Sequence, residues 1–160
     1  MIILGIDPGI KATGYGVISF NNNRPEIIEA GAIEPKQKDL LQHRIQKIHR
    51  HLGDIIKQFK PDVMVLEKLY AHYNHPMTAS KLGHARGVIC LLCAENNLNL
   101  VEYSVKRIRK ALIGNGNATK LQIQFTVSQV LKIDQKKLTL DASDALALAL
   151  GHTCLLRNRV

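Results

Sequence analysis

Ile2-Ile3-Leu4-Gly5-Ile6-Asp7-Pro8-Gly9, followed shortly by Gly14-Tyr15-Gly16-Val17-Ile18-Ser19-Phe20, decides how this chain folds. The first run is apolar through Ile6 and reads as a buried strand. Asp7-Pro8-Gly9 turns the chain, and the second run reads as an antiparallel hairpin partner. Asn21-Asn22-Asn23-Arg24-Pro25 is turn chemistry, and a third strand is predicted over Glu26 to Ile33. Three consecutive strands joined by short connections make one antiparallel layer.

Beyond them the pattern changes to helix and strand in alternation. From Asp39 to Phe59 the apolar residues Leu41, Ile45, Ile48, Leu52, Ile55 and Phe59 fall in steps of three and four, one helical stripe. Pro61 stops that helix, and Val63 to Glu67 is a short strand. Lys68 to Pro76 reads as an exposed loop. Met77 to Glu95 reads as a helix, apolar nearly all round from Val88 to Ala94, and therefore buried or packed against another subunit. Leu98 to Tyr103 is a fifth strand, and Val105 to Ile113 a basic helix ended by Gly114-Asn115-Gly116-Asn117. Thr119 with Gln122 forms a capping-box pattern for a helix reaching Leu131, and Asp141 starts the last helix. The expected class is α/β: a five-stranded mixed sheet flanked by helices, antiparallel first and then parallel through right-handed crossovers. That layout is the ribonuclease H-like fold. With no repeat, low-complexity tract or linker, residues 1–160 are expected to form a single domain.

The composition, 46% hydrophobic and 22% charged, is that of a soluble globular protein. No apolar stretch approaches the roughly 18 residues of a membrane span. The start of the chain lacks a basic leader, and three cysteines without a paired framework point to a reducing, cytoplasmic setting. The net charge of +9 is concentrated. Residues 103–137 hold Lys106, Arg107, Arg109, Lys110, Lys120, Lys132, Lys136 and Lys137 against the single acid Asp134. Such a segment suits a polyanionic partner, although a solvated basic face has the same composition.

Four carboxylates stand where chemistry is expected. Asp7 and Glu67 end apolar strands, and α/β sheets bind ligands at the carboxyl ends of their strands. Asp141 and Asp144, three apart, share one face of a helix. If that helix start docks on the strand ends, three segments deliver four negative charges to one place, a cluster suited to Mg²⁺ or Mn²⁺. Taken singly, each has a plainer reading: a turn residue at Asp7, a solvated strand end at Glu67, a helix cap and a dipole-favoured acid at Asp141 and Asp144. Cys90 and Cys93, inside an apolar helix with no second pair, read as buried structural cysteines rather than a zinc site. His43, His49 and His51 read as a solvated helix face, and His72 and His75 as loop residues.

In order along the chain, Gly5-Ile6-Asp7-Pro8-Gly9 with Gly14-Tyr15-Gly16, Glu67, Lys81-Leu82-Gly83-His84-Ala85-Arg86-Gly87, Gly114-Asn115-Gly116-Asn117-Ala118 and Asp141-Ala142-Ser143-Asp144-Ala145-Leu146-Ala147 resemble the RuvC family of Holliday-junction resolvases. The resemblance runs almost end to end. It implies a homodimeric, metal-dependent endonuclease of DNA recombination and repair. Paired symmetric nicks across a four-way junction would leave 5′-phosphate and 3′-hydroxyl ends. Asp7, Glu67, Asp141 and Asp144 resemble the family's acidic residues, holding two Mg²⁺ ions per site, with Mn²⁺ as a substitute. Asp7, on the central strand, would bridge the two ions, which stabilise the attacking and leaving oxygens of an in-line displacement.

Lys120 and Arg109 resemble the family's basic residues at the scissile phosphate and the DNA backbone. Arginine at position 109, where lysine is usual in the family, grips phosphate bidentately but does not release a proton. Arg86 and Lys110 are further expected DNA contacts. Tyr70 resembles the loop aromatic that stacks on bases near the exchange point, a contact worth about 1–3 kcal/mol. The longer loop here adds Tyr73, which could share or take over that stacking. The RuvA–RuvB branch-migration complex is the partner implied by the resemblance. The rival readings are a junction-binding protein that does not cut, and a nuclease of the same fold acting on structured RNA.

Overall fold

The computed structural model describes residues 1–68 and 76–157, apart from the side chains of Pro76 and Thr78. Strands β1 (Ile2–Asp7), β2 (Thr13–Asn21), β3 (Arg24–Ile33), β4 (Val63–Glu67) and β5 (Asn99–Tyr103) form one sheet in the order β3-β2-β1-β4-β5. The pairs β1–β2 and β2–β3 are antiparallel, and β1–β4 and β4–β5 are parallel. This is the mixed five-stranded sheet expected from the sequence, with β1 at its centre.

Helices α1 (Leu41–Phe59) and α2 (Pro76–Glu95) cover one face. Helices α3 (Val105–Ile113), α4 (Lys120–Leu131) and α5 (Leu140–Arg157) cover the other. Strand alternation divides the core accordingly. Leu4, Ile6, Met64 and Leu66 pack with Ile48, Leu52 and Ile89 on the α1–α2 side. Ile3, Ile18, Val63 and Val65 pack with Leu146, Leu150 and Val127 on the α5 side. The expected capping box at α4 is present: Thr119 accepts from the Gln122 amide at 3.2 Å, and the Gln122 side chain accepts from the Thr119 amide at 2.8 Å.

Three details differ from expectation. The linker expected over 21–25 is shorter, because Asn22 and Asn23 take φ of 50° and 61° and close a two-residue hairpin whose pairing continues at Asn21–Arg24. Asparagine tolerates the left-handed region that a tight hairpin demands. Of the two expected readings of helix α2, burial all round within the chain does not hold, and packing against another subunit stays open: Ala85, Ile89, Leu92 and Cys93 are buried, while Cys90, Leu91 and Ala94 are exposed. Cys90 therefore departs from the buried reading and Cys93 keeps it. Thr139 rather than Asp141 begins the last helix, its hydroxyl accepting from the Ala142 amide at 3.3 Å.

Candidate active site

Strand parity sets the first two carboxylates. Ile3, Gly5 and Asp7 alternate toward α5, and so do Val63, Val65 and Glu67. The parallel register pairs Ile6 with Leu66, so the next residues, Asp7 and Glu67, end neighbouring strands on the same face.

Glycines bring the third segment in. A Cβ on Gly5 would stand 2.1 Å from the Ala145 carbonyl oxygen, and one on Gly14 would stand 2.1 Å from that of Asp141. Both distances lie far inside van der Waals contact, so α5 reaches β1 and β2 only because these positions lack side chains. Gly14 pairs directly with Asp7 across the hairpin. The backbone of Asp141 is thereby seated beside Asp7. With Thr139 capping the helix, the Asp141 carboxylate is not needed as the cap, and Asp144 follows on the next turn.

A cavity of about 200 Å³ opens there, lined by Asp7, Glu67, Asp144, Lys120 and Arg109 above an apolar wall that includes Ile108 and Leu148. Asp141 is not among its lining residues but lies close enough to act on Asp7 electrostatically. Lys120, in the first turn of α4, donates to Asp144 Oδ2 at 2.8 Å. Among the described residues, no three His, Cys, Asp or Glu side chains are drawn close enough to share one ion.

The electrostatics are those of crowded negative charge. Burial pushes the Asp7 carboxyl up to about 7, with Asp144, Glu67 and Asp141 adding to the rise and Lys120 opposing it. Glu67 is raised too, first by burial and then by Asp144, against Lys120, Arg109 and Arg86. Lys120 is held protonated above its usual range, chiefly by its bond to Asp144. The donor set is all carboxylate oxygen, the choice of a hard divalent cation, and a cation would offset both the burial and the mutual repulsion that raise Asp7 and Glu67.

The other candidate residues are distributed differently. Arg109 lines the cavity, while Lys110 is exposed on α3 and does not. Arg86, an expected DNA contact, has a side chain only 14% exposed. It donates through Nη1 to the Glu67 main-chain oxygen and through Nη2 to Glu102. Glu102 was not singled out by sequence reasoning. Strand alternation carried the signal, since Leu100 packs on the α2 side and Glu102 follows it by two. Tyr70 and Tyr73, with His72 and His75, lie outside the described residues.

A family model described as crossover junction endodeoxyribonuclease RuvC matches residues 3–152. The chain belongs to the RuvC family. A RuvC of that description from Rhodopirellula baltica is 42% identical over 151 residues, covering 94% of this chain and 85% of the relative. Thermus thermophilus RuvC has a solved structure that matches with a TM-score of 0.89 at 25% identity, covering 99% of this chain and 97% of that one. A second structure, T. thermophilus RuvC in complex with a Holliday junction substrate, matches with a TM-score of 0.88 at 22% identity over 99% and 96% of the two chains. The ribonuclease H-like fold expected from the strand order is thus the fold of this RuvC-family chain.

Proposed function

We infer that this chain is a crossover junction endodeoxyribonuclease, a hydrolase that resolves four-way DNA junctions during recombination and repair. The observation that carries the reading to its residues is the convergence of Asp7, Glu67 and Asp144 in one cleft beside Lys120 and Arg109. Asp141 is assigned to the same acidic group through its effect on Asp7. These four carboxylates would hold two Mg²⁺ ions, with Mn²⁺ able to substitute. When bound, the cations supply charge stabilisation for the attacking and leaving oxygens of an in-line displacement at phosphorus. Arg109 would grip a phosphate oxygen, and Lys110 would add backbone attraction from the outer side of α3.

Lys120 would act at the scissile phosphate once its bond to Asp144 is exchanged for one to DNA. Lys120→Ala is expected to slow single-turnover cleavage about a hundredfold, the effect of removing one well-placed donor. Junction affinity would change little. A variant that cleaves normally at saturating protein, with only a shallower salt dependence of binding, would make Lys120 a backbone contact.

The active unit is proposed as a homodimer built on the open face of α2. Leu91 is 51% exposed and Met77 69% exposed there, and added side chains at Gly83 and Gly87 would meet nothing within 4 Å. Exposed apolar surface of this kind is better covered than solvated. Leu91→Glu is expected to convert a dimer to a monomer by size exclusion with light scattering. A dimer unchanged by that charge would place the interface elsewhere. The RuvA–RuvB complex is the proposed partner in branch migration. A cytoplasmic location suits a DNA substrate and three free thiols. Among the described residues no helix is long and apolar enough to cross a membrane.

Competition between a mobile four-way DNA junction, duplex DNA and structured RNA tests the substrate class. Selective cleavage of the DNA junction is expected, and preference for RNA would overturn the reading.

A further inference from the structure

We propose that Arg86 is a positioning residue that sets the Glu67 carboxylate, through a bridge from α2 to the ends of β4 and β5. This rests on the nuclease reading above. The need for such a bridge follows from the sheet. Glu67 is the last residue of β4, and the β4–β5 ladder ends at the pair Glu67–Tyr103. Among the described residues, one main-chain bond lies beyond it, from the Lys68 amide to the Tyr103 carbonyl at 2.8 Å. A carboxylate at a strand terminus is only as well placed as the backbone that carries it.

Arg86 supplies the missing constraint. One arm of its guanidinium donates to the Glu67 carbonyl oxygen and the other to the Glu102 carboxylate. Glu102 pairs with Leu66 across β4–β5, so the guanidinium joins two adjacent strand ends. The base of the strut is firm: Ala85 and Ile89, flanking Arg86 on α2, are completely buried. With 14% of its side chain exposed and both arms engaged, Arg86 is poorly placed to serve as a primary phosphate contact. Only a planar fork reaches two acceptors at fixed separation, so lysine would keep the charge and lose the bridge.

Charge and geometry predict opposite results, which makes the role testable. The Arg86 charge disfavours a nearby divalent cation, so a purely electrostatic role would let cation affinity rise in Arg86→Gln and stay unchanged in Arg86→Lys. A positioning role predicts weaker Mn²⁺ binding in both variants. Partners that orient a metal-binding group are typically worth about 10- to 100-fold in affinity or activity. The test is Mn²⁺ titration calorimetry on the DNA-free full chain, beside junction affinity and single-turnover cleavage, for wild type, Arg86→Lys, Arg86→Gln and Glu102→Gln. Both Arg86 variants are expected to bind Mn²⁺ about tenfold more weakly and to cleave about tenfold more slowly at saturating protein. Glu102→Gln, which keeps an acceptor, is expected to fall between them and wild type. Junction affinity and its salt dependence are expected to hold in all four proteins.

Wild-type Mn²⁺ affinity in Arg86→Lys would overturn the proposal. So would a loss of junction affinity with a salt slope smaller by about one, the signature of a phosphate contact. Thermal melting separates a folding defect: a loss of Mn²⁺ affinity that tracks only the unfolded fraction also overturns it. Wild-type cleavage and Glu67→Gln cleavage report on the nuclease reading itself, whereas the Mn²⁺ measurement reports on the bridge without requiring turnover.

Discussion

Asp7→Asn is expected to cut junction cleavage about a thousandfold while leaving junction affinity within a factor of two. The first magnitude corresponds to roughly 4 kcal/mol of lost transition-state stabilisation, a reasonable share of what a bound cation contributes. The second follows from location, because Asp7 is a mostly buried acid and gives a polyanion nothing to hold. Retained turnover in the variant would remove Asp7 from the cation site. The same substitution has an opposite effect on the cation-free fold. The Asp7 carboxyl moves from an ordinary 3.8 to about 7 on folding, so the folded chain holds this proton more tightly than the unfolded chain. Its stabilising contribution is complete below about pH 4 and is lost as pH rises through about 7. The difference is at most about 4 kcal/mol and smaller after solvent screening. Cation-free Asp7→Asn is therefore expected to melt above wild type at pH 8 and to converge with it near pH 4. Equal melting temperatures at pH 8 would contradict the burial of the Asp7 carboxyl among neighbouring acids.

Gly14→Ala is the second large effect, and it acts without touching a charge. The added methyl would stand 2.1 Å from the Asp141 carbonyl oxygen and 2.6 Å from its carbonyl carbon. Both are backbone atoms at the start of α5, so no side-chain rotation relieves the clash. Overpacking of this kind costs about 1–3 kcal/mol. The helix start must lift, carrying Asp141 and Asp144 away from Asp7. A displacement of about 1 Å at reacting groups costs about a hundredfold in rate. Gly14→Ala is thus expected to lose that much cleavage at temperatures where circular dichroism shows it folded. Folded protein with wild-type rate would mean that the approach of α5 to the hairpin does not position the acids.

Much of this arrangement could be read from residue order. The unbroken apolar runs ending in Asp7 and Glu67, and the three-four stripe from Leu41 to Phe59, are short-range patterns that strands and helices impose directly. The capping box at Thr119 was legible for the same reason. What escaped depends on tertiary neighbours. Helix α2 is so evenly apolar near Leu91 that periodicity does not reveal which side meets the sheet, so Cys90 could not be separated from Cys93. Arg86 reads from sequence as a DNA contact, and its bonds to the ends of β4 and β5 depend on tertiary packing that no local pattern reports. Gly14 reads as one residue of a strand, and nothing local shows that the Asp141 backbone packs against it. The spacing of Asp141 and Asp144 likewise fixed a shared face, while their nearness to Asp7 required the packing of α5 on β1 and β2.

The acidic cleft is expected to cut both sides of a four-way DNA junction. The most direct measurement is a nicking assay on a mobile junction in Mg²⁺, with each strand end-labelled and the products offered to DNA ligase. Paired nicks at symmetric positions on two strands of like polarity, sealed by ligase, are the predicted result. Tight junction binding without any cleavage, in Mg²⁺ or Mn²⁺, would contradict it.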